Sequence, residues 1–343
     1  MRIECSNCNK IYNIPDERLP DKERIAFPCP ACKAVIAVDL IPRPVPDATP
    51  PSEDQLNENL SGYQLKQKIL KTVQDLPPMP QTVLKAREIM ADANSSFEEL
   101  AGVLQMDQAI AAKVIRIANS AYYGLRGKVS SMQHAAVLLG LKTLEELITV
   151  AGTGGLLGKE LEGYEQNTGD LWQHSLGVAF GSKVIATMKF PALAEDAFTA
   201  GLLHDTGKLA LDPYILERKD LFRQVLSNGC KSFLHAEKQI LGFDHSEIAS
   251  EICRKWNIPQ QLTTAIRYHH TPSLSQDSIL TYIVHTADVI AIMSGIGTGM
   301  DGMRYSMDEK AFEVLGLQKD DTSIIMIEIV EAVRKITDEM ALS

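Results

Sequence analysis

Residues 104–124 read LQMDQAIAAKVIRIANSAYYG. From Ala109 to Ala118 the apolar residues of this stretch follow the period of an α-helix, and none of it alternates with the two-residue period of a strand. The helical pattern stops at a polar and aromatic segment, Asn119 to Gly124. The stretch therefore predicts a buried helix that ends in a turn.

The same helical period extends outward in both directions from this stretch. Upstream, a capping-box signal, Ser95-Ser96 followed by Glu98-Glu99, precedes one of the predicted helices. Two other predicted helices precede the stretch, over residues 65–73 and 83–90. Two follow it, over residues 132–139 and 144–150, with Gly140 separating them. We expect a mainly α protein with a helical domain over residues 63–343. Its halves would be 63–155 and 156–343, joined by a glycine-rich loop from Gly152 to Gly169.

Composition limits the classes of function. The chain has 343 residues and a formal net charge of −10, so it can bury a large core but lacks the basic excess of a general nucleic-acid or anionic-membrane coat. No apolar run without charges reaches the roughly 18 residues that a membrane span needs. The N-terminus lacks the apolar core of a secretory signal. We expect a cytoplasmic protein for which nucleic acid is an unlikely partner.

Two C-x2-C pairs stand near the N-terminus, Cys5 with Cys8 and Cys29 with Cys32. Two such pairs about twenty residues apart close a tetrahedral shell of four thiolates, and this spacing favours a structural zinc ion. Iron in the same shell stays open, and a disulfide pair is disfavoured in the cytoplasm. Residues 12–15 and 25–28 have the pattern of short strands. The segment resembles a small zinc-ribbon-like finger over residues 1–40, with a structural or partner-docking role, followed by a proline-rich linker over residues 41–62.

A second stretch, residues 201–208 (GLLHDTGK), carries candidate chemistry. His204 and Asp205 are both good ligands for a divalent metal, Gly207 stands where a helix would end, and Lys208 adds a cation that could hold a phosphate. A histidine beside an aspartate is weak evidence alone. Further candidate ligands follow the same order along the chain: His174, His245, His269, His270 and Asp288.

Asp170 and His174 are four residues apart and project from one face of a predicted helix. This spacing suits two ligands of one site. On the residues alone, the favoured alternative is that Asp170 caps the helix and that His174 is a packed core histidine. We assign His235 and His285 to the core or the surface, and residues 294–303 to a glycine-rich loop.

Several ordered motifs resemble those of the HDOD family, whose members are bacterial signal-transduction output proteins related to the HD metallohydrolases. The motifs are residues 104–124, the upstream Leu76-Pro77-Pro78-Met79-Pro80 and the downstream residues 135–140. The resemblance runs from about Leu65 to at least Pro272. It implies an all-helical, HD-like bundle with a regulatory role and other signalling proteins as partners.

The wider HD superfamily arranges His, His-Asp and a distant Asp around one metal ion. Carried onto this chain, the resemblance implies His174, His204, Asp205 and Asp288 as the basic ligands. Its HD-GYP branch adds histidines for further ions, which implies His245, His269 and His270 here, with Asp170 as an extra carboxylate. HDOD proteins commonly lack part of this set, whereas this chain keeps it. The residues after His270 do not resemble the continuation found in cyclic-di-GMP hydrolases.

The sequence therefore supports two alternative functions. The favoured one is a regulatory protein that works through protein contacts, with a retained site for one or two divalent ions (Fe, Mn, Mg, Ni or Zn). The alternative is a metal-dependent phosphohydrolase acting on a nucleotide or phosphate ester, in which Asp205 and Lys208 would serve catalysis.

Overall fold

This computed structural model describes residues 2–4, 11–13, 24–28, 32, 35–39, 62–76, 79–91, 96–105, 107–125, 127–227, 232–297, 299–300 and 305–341. The chain divides into two compact units, Met1–Asn59 and Leu60–Ser343. The finer division into a finger, a linker and two helical halves stays a prediction.

The N-terminal unit contains two antiparallel strand pairs. β1 (Arg2–Glu4) pairs with β2 (Ile11–Asn13), with Ile3 opposite Tyr12. β3 (Arg24–Pro28) pairs with β4 (Val35–Asp39), with Ala26 opposite Ala37. Cys32 is half-buried, while Cys5, Cys8 and Cys29 lie outside the described residues.

In its described ranges the second unit is built from helices joined by turns and loops, as the sequence predicts. Its first helices are α1 (Gly62–Asp75), α2 (Gln81–Ala91), α3 (Phe97–Gln105), α4 (Gln108–Ala118) and α5 (Met132–Leu157). The central ones are α6 (Asp170–Lys189), α7 (Ala194–Leu203), α8 (Lys208–Leu216), α9 (Lys219–Ser227) and α10 (Phe233–Leu241). The last are α11 (His245–Lys255), α12 (Gln260–Tyr268), α13 (Ile279–Met293), α14 (Ala311–Leu315) and α15 (Lys319–Ala341).

The segment that opened the sequence analysis is α4 and its turn. The Asp107 side chain caps α4 by accepting a hydrogen bond from the backbone N–H of Ile110. At the other end, the Asn119 amide donates to the carbonyls of Ile115 and Val129, and its oxygen accepts from the N–H of Val129 at 2.7 Å. Asn119 therefore acts as a scaffold residue that fixes the turn.

The predicted loop from Gly152 to Gly169 is wrong in its first part, because α5 continues to Leu157. The helix tolerates Gly152 for a packing reason: a Cβ there would lie 2.3 Å from Cγ2 of Val83 on α2. Beyond the helix the chain forms a tight turn in which Leu161 and Gln166 exchange backbone hydrogen bonds of 2.9 and 3.0 Å. Tyr164 within this turn is fully buried. Gly140 does interrupt α5, with φ 80° and ψ 161°.

α6 is the central helix of the bundle. It packs against α7, α13 and α15, and it is buried along most of its length. These neighbours bring residues that are distant in sequence to one end of the unit. Among the described residues, no helix is both long and apolar enough to cross a bilayer.

Candidate metal centre

Seven of the predicted ligands come from five helices and meet in the interior of the helical unit. His174 lies on α6 and Asp288 on α13. His204 and Asp205 directly follow α7, His245 is the first residue of α11, and His269 and His270 directly follow α12. Six of the seven residues are 0–3% exposed, and the His270 side chain is 6% exposed.

Asp205 lies between two groups of histidines. Its Oδ2 is 3.7 Å from Nε2 of His174 and 3.3 Å from Nε2 of His204. Its Oδ1 is 3.4 Å from Nε2 of His245 and 3.8 Å from Nε2 of His269. Two ligand atoms that bind the same ion, each at about 2.1 Å, lie roughly 3–4 Å from one another, so these separations suit ligands of a common ion. Asp205 is thus within reach of both groups of histidines and would help to hold an ion in either of them.

Asp288 closes the other side of the cluster. Its Oδ1 is 3.1 Å from Nε2 of His174 and 3.8 Å from Nε2 of His204, and its Oδ2 is 3.6 Å from Nδ1 of His270. Within the described residues, three overlapping groups have ligand atoms within 4.8 Å of one another. They are Asp205 with His245, His269 and His270; His174 with His204 and Asp205; and His204 with His269 and Asp288.

Buried atoms without partners show that this donor set fits metal ions. Five polar atoms of the cluster are buried and make no hydrogen bond: His204 Nε2, Asp205 Oδ1, His269 Nε2, His270 Nδ1 and Asp288 Oδ2. An unsatisfied buried polar atom costs on the order of 1–3 kcal/mol, so five together need a common explanation. Divalent ions would satisfy them, since imidazole nitrogens and carboxylate oxygens are their usual ligands.

The outer nitrogens of four histidines are fixed by hydrogen bonds, which turns the inner nitrogens toward the cluster. Nδ1 lies 3.2 Å from the Ile296 carbonyl in His174, 2.7 Å from that of Gly201 in His204, and 2.7 Å from that of Ile266 in His269. In His245 it lies 2.8 Å from Oε2 of Glu237. Metal-binding histidines are generally held in this way.

Glu237 belongs to none of the motifs in the sequence. This carboxylate lies on α10, is fully buried, and also accepts hydrogen bonds from the Tyr164 hydroxyl at 2.5 Å and from the backbone N–H of His245 at 2.9 Å. On an amphipathic helix a glutamate usually faces solvent. Only tertiary packing reveals its position behind His245.

His285, predicted to lie in the core or at the surface, is a buried core residue whose two ring nitrogens both have partners. Its Nδ1 donates to the His269 carbonyl at 2.6 Å, and its Nε2 accepts from the backbone N–H of Asp308 at 2.8 Å. It therefore connects the α12 end to residue 308. Tyr305, which sequence reasoning also missed, stacks on the His270 ring at 4.0 Å and 8°.

The histidines of the cluster differ in the direction of their pKa shifts. Burial disfavours the charged imidazole, yet the Glu237 carboxylate outweighs burial and raises the pKa of His245 to about 9. Burial and the neighbouring His204 lower the pKa of His269 to about 3, so its imidazole is neutral at pH 7. Burial works against ionisation of Asp288, but the hydrogen bond from His174 and the nearby histidines lower its pKa to about 2. A neutral imidazole and an ionised carboxylate are the forms that bind metal.

Two predicted site residues have other partners. Lys208 is buried, with its Nζ 2.8 Å from Oδ2 of Asp205 and 5.4 Å from the centre of the Tyr164 ring. Asp170 belongs to none of the three ligand groups. Its Oδ2 accepts hydrogen bonds from the backbone and side-chain nitrogens of Asn167, at 2.7 and 3.0 Å, so it orders the turn before α6.

Gly207 has a different role from the predicted helix end. Its φ of −63° is helical, and α8 begins at the next residue. A Cβ at this position would lie 1.9 Å from the His245 carbonyl oxygen. The missing side chain therefore lets the start of α11 come against the turn that carries Asp205.

Comparisons with known proteins agree with this architecture. The HDOD domain matches residues 76–272, and a zinc-ribbon domain matches residues 1–37. A curated relative, an uncharacterized protein of Treponema pallidum (strain Nichols), is 20% identical over 203 residues. That match covers 59% of this chain and 39% of the relative, so the chain spans well under half of the relative's length.

Two solved structures share the fold. An HDOD domain protein with unknown function from Geobacter sulfurreducens has a TM-score of 0.64 and 23% identity, over 80% of this chain and 99% of that one. A phosphohydrolase candidate from Shewanella amazonensis SB2B has a TM-score of 0.62 and 22% identity, over 79% of this chain and 97% of that one. Similarity at this level establishes the fold.

Proposed function

Because the chain belongs to the HDOD family, we propose that it is a signal-transduction output protein that works through protein contacts and holds two divalent metal ions in its helical unit. His174, His204, Asp205 and Asp288 would bind one ion. Asp205, His245, His269 and His270 would bind the other, with Asp205 shared.

The observation that carries the regulatory role is the enclosure of a complete donor set. His204, His245 and His269 have no exposed surface, and Asp205 and Asp288 are each 1% exposed. Structural metal sites are closed in this way, whereas catalytic sites keep a position open for water or substrate. The ligands come from five helices, so bound metal would fix how these helices are arranged, and its binding energy would stabilise the folded bundle.

A metal-dependent phosphohydrolase is the second candidate, and one observation favours it. The ligand set is complete and contains a carboxylate placed to bridge two ions, with the cation of Lys208 at 2.8 Å from it. Two bound ions would supply an activated water and polarise a phosphoryl oxygen. In this role Asp205 would hold the ions, and the Lys208 ammonium would orient Asp205 and offset charge on a phosphate.

The zinc-ribbon match supports a zinc ion bound by Cys5, Cys8, Cys29 and Cys32. Four thiolates fill a tetrahedral shell, so this ion would have no open position for chemistry. We assign the ribbon a structural or partner-docking role.

Metal analysis of the purified full chain tests the proposal. We expect three metal equivalents per chain: one that disappears in a Cys5→Ser, Cys8→Ser variant, and two that disappear or weaken together in Asp205→Asn. Asp170→Asn is the matched control, because its carboxylate is outside the cluster, and it should keep all three. Retention of both central ions in Asp205→Asn would contradict the shared centre.

Hydrolysis assays distinguish the two candidates. The chain loaded with Mn²⁺, Fe²⁺, Mg²⁺, Ni²⁺ or Zn²⁺ should leave bis(4-nitrophenyl) phosphate and nucleoside phosphates intact. If the unmodified chain hydrolyses one of these substrates and both Asp205→Asn and Lys208→Met lose that activity, the phosphohydrolase is the correct function and the regulatory proposal is wrong.

A further inference from the structure

A second concave site lies on the helical unit, between α6 and α15. It is a cavity of about 340 Å³ beside the turn that follows α4. Phe180, Lys183, Val184, Thr187 and Met188 of α6 line one side of it. Tyr122 of the turn, with Ile324 and Glu328 of α15, lines the other.

The walls of this cavity are mainly apolar and aromatic. Phe180 is buried, and its ring meets the Tyr122 ring edge to face at 4.8 Å. At the mouth, Met188 and Ile324 are 38% and 49% exposed, so two large apolar side chains from neighbouring helices adjoin solvent there. At about 30 Å³ per water-sized group, the cavity holds roughly ten non-hydrogen atoms. The walls therefore suit the apolar body of a small molecule.

The two charged residues of the lining, Lys183 and Glu328, differ in whether they already have a partner. Lys183 is the lining cation, and its Nζ is already held by both oxygens of Glu146, at 2.5 and 2.7 Å. Glu328 makes no hydrogen bond or ion pair with any residue that the structure describes. Burial, followed by the nearby Glu328 carboxylate, raises the pKa of Tyr122 above its ordinary value.

The hydrogen-bonding groups of the lining also favour a cationic ligand. In the described part of the chain, the hydroxyls of Tyr122 and Thr187 are not hydrogen-bonded, and both line the cavity beside Glu328. These three groups can accept hydrogen bonds, and an ammonium group has three donors. A carboxylate ligand would instead meet Glu328 with Lys183 already engaged.

We propose that this cavity is a binding site for a small organic amine. The apolar body of the amine lies against Phe180 and Val184, and its ammonium binds Glu328. An ammonium near the Tyr122 ring also gains a cation–π attraction.

The cavity is separate from the metal centre. Lys183 and His174 lie on the same helix nine residues apart, which is roughly 13 Å along its axis. Binding at the cavity therefore needs neither metal nor any of the metal ligands, and it stands whether or not the centre is loaded.

Methyl NMR of the full chain at pH 7, titrated with n-hexylamine, tests the proposal. We expect saturable shifts of the Met188 ε-methyl and Ile324 δ-methyl signals, weaker shifts with 1-hexanol, and none with hexanoate. Glu328→Gln should weaken hexylamine binding about tenfold, as for loss of a charged hydrogen-bond partner. Glu331→Gln is the matched control, because this carboxylate lies on the same helix but binds Lys335, and it should bind hexylamine as the unmodified chain does.

A second variant distinguishes binding in the cavity from attraction of the amine to surface charge alone. Val184→Phe should fill the cavity and abolish the shifts while Glu328 remains. Binding of hexanoate as tight as that of hexylamine would overturn the proposal, as would unchanged hexylamine affinity in Glu328→Gln or Val184→Phe. If a basic amphipathic helical peptide shifts these methyl signals while hexylamine does not, the surface is a protein-docking site and the amine site is wrong.

Discussion

At the scale of single residues, the metal centre depends on how its histidines are oriented. His245 illustrates this: its Nδ1 is fixed by Glu237, and its Nε2 lies 3.4 Å from Asp205. Glu237 carries a negative charge behind the imidazole and makes no direct contact with the cluster's centre. It is therefore a positioning residue whose charge strengthens the ligand.

The first prediction concerns Glu237→Gln. Glutamine can keep the hydrogen bond to His245 through its oxygen, and its amide nitrogen can donate to the Tyr164 hydroxyl oxygen, so the shape is retained and the charge is lost. We expect the affinity of the centre for metal to fall roughly 10- to 100-fold. Competition with a chelator measures this change. Glu251→Gln, at an exposed carboxylate on α11, is the control, and equal affinities in the two variants would exclude the positioning role.

The second prediction concerns Glu146, on α5. Burial and a hydrogen bond with Glu195 outweigh the attraction of Lys183 and raise the pKa of Glu146 from 4.5 to about 8. The folded protein thus holds this proton more tightly than the unfolded chain. Its contribution to stability is complete below about pH 4.5 and is lost as the pH rises to about 8.

Glu146→Gln mimics the protonated carboxyl at every pH. We expect the free energy of unfolding to fall less steeply between pH 5 and 8 than in the unmodified chain, by up to about 1.4 kcal/mol per pH unit. Urea unfolding at four pH values measures the slope. Identical slopes would show that Glu146 titrates near its ordinary value, and Glu331→Gln, at an exposed position, should leave the slope unchanged.

The seven residues could be grouped as candidate ligands because their residue types follow the order of a known ligand set, and the structure brings them together. The sequence did not predict Glu237, His285 or Tyr305, because each acts through a partner that only the tertiary structure brings near. Glu237 and His245 are eight residues apart, but they meet through the turn between α10 and α11. An acidic residue on a short helix gives no signal of that contact.

At the scale of helices and turns, close packing explains the glycines better than loop propensity does. The cluster Gly152, Gly154 and Gly155 predicted a loop, yet all three lie inside α5. A Cβ at Gly152 would lie 2.3 Å from Cγ2 of Val83, whereas one at Gly154 would meet the Trp172 ring at an ordinary 3.4 Å. Of these three glycines, Gly152 therefore marks a neighbour that approaches closely. Periodicity alone cannot distinguish a glycine that ends a helix from one that allows a neighbour to approach.

The third prediction tests this at Gly207→Ala. The added Cβ would overlap the His245 carbonyl oxygen, so α11 must move away from Asp205. We expect a loss of roughly 1–3 kcal/mol in unfolding free energy, as for overpacking, together with weaker metal binding. Gly155→Ala is the matched control, because no atom lies within 4 Å of its Cβ position. That change should stabilise the helix by up to about 1 kcal/mol, and equal effects at the two positions would contradict the close approach.

At the scale of the whole molecule, sequence periodicity located the helices but could not arrange them. The order of amphipathic segments predicted an all-helical unit, and the family resemblance predicted which residues face one centre. The cavity between α6 and α15 follows from packing between helices that are more than a hundred residues apart in sequence. No local pattern encodes such distances.

The last prediction concerns the two compact units. The helical unit has its own extensive apolar core, whereas a four-cysteine finger is too short to form one and depends on its metal for folding. In Cys5→Ser, Cys8→Ser, we expect one zinc equivalent to be lost while the thermal transition of the helical unit stays within about 1 °C, because the linker predicted over residues 41–62 would leave the finger tethered without stabilising the bundle. Asp205→Asn should instead lower that transition by roughly 5–10 °C, as expected for loss of ions bound at about 100 times their Kd. Calorimetry of both variants with metal analysis checks this contrast, and a fall of several degrees in the cysteine variant would mean that the finger contributes to the stability of the bundle.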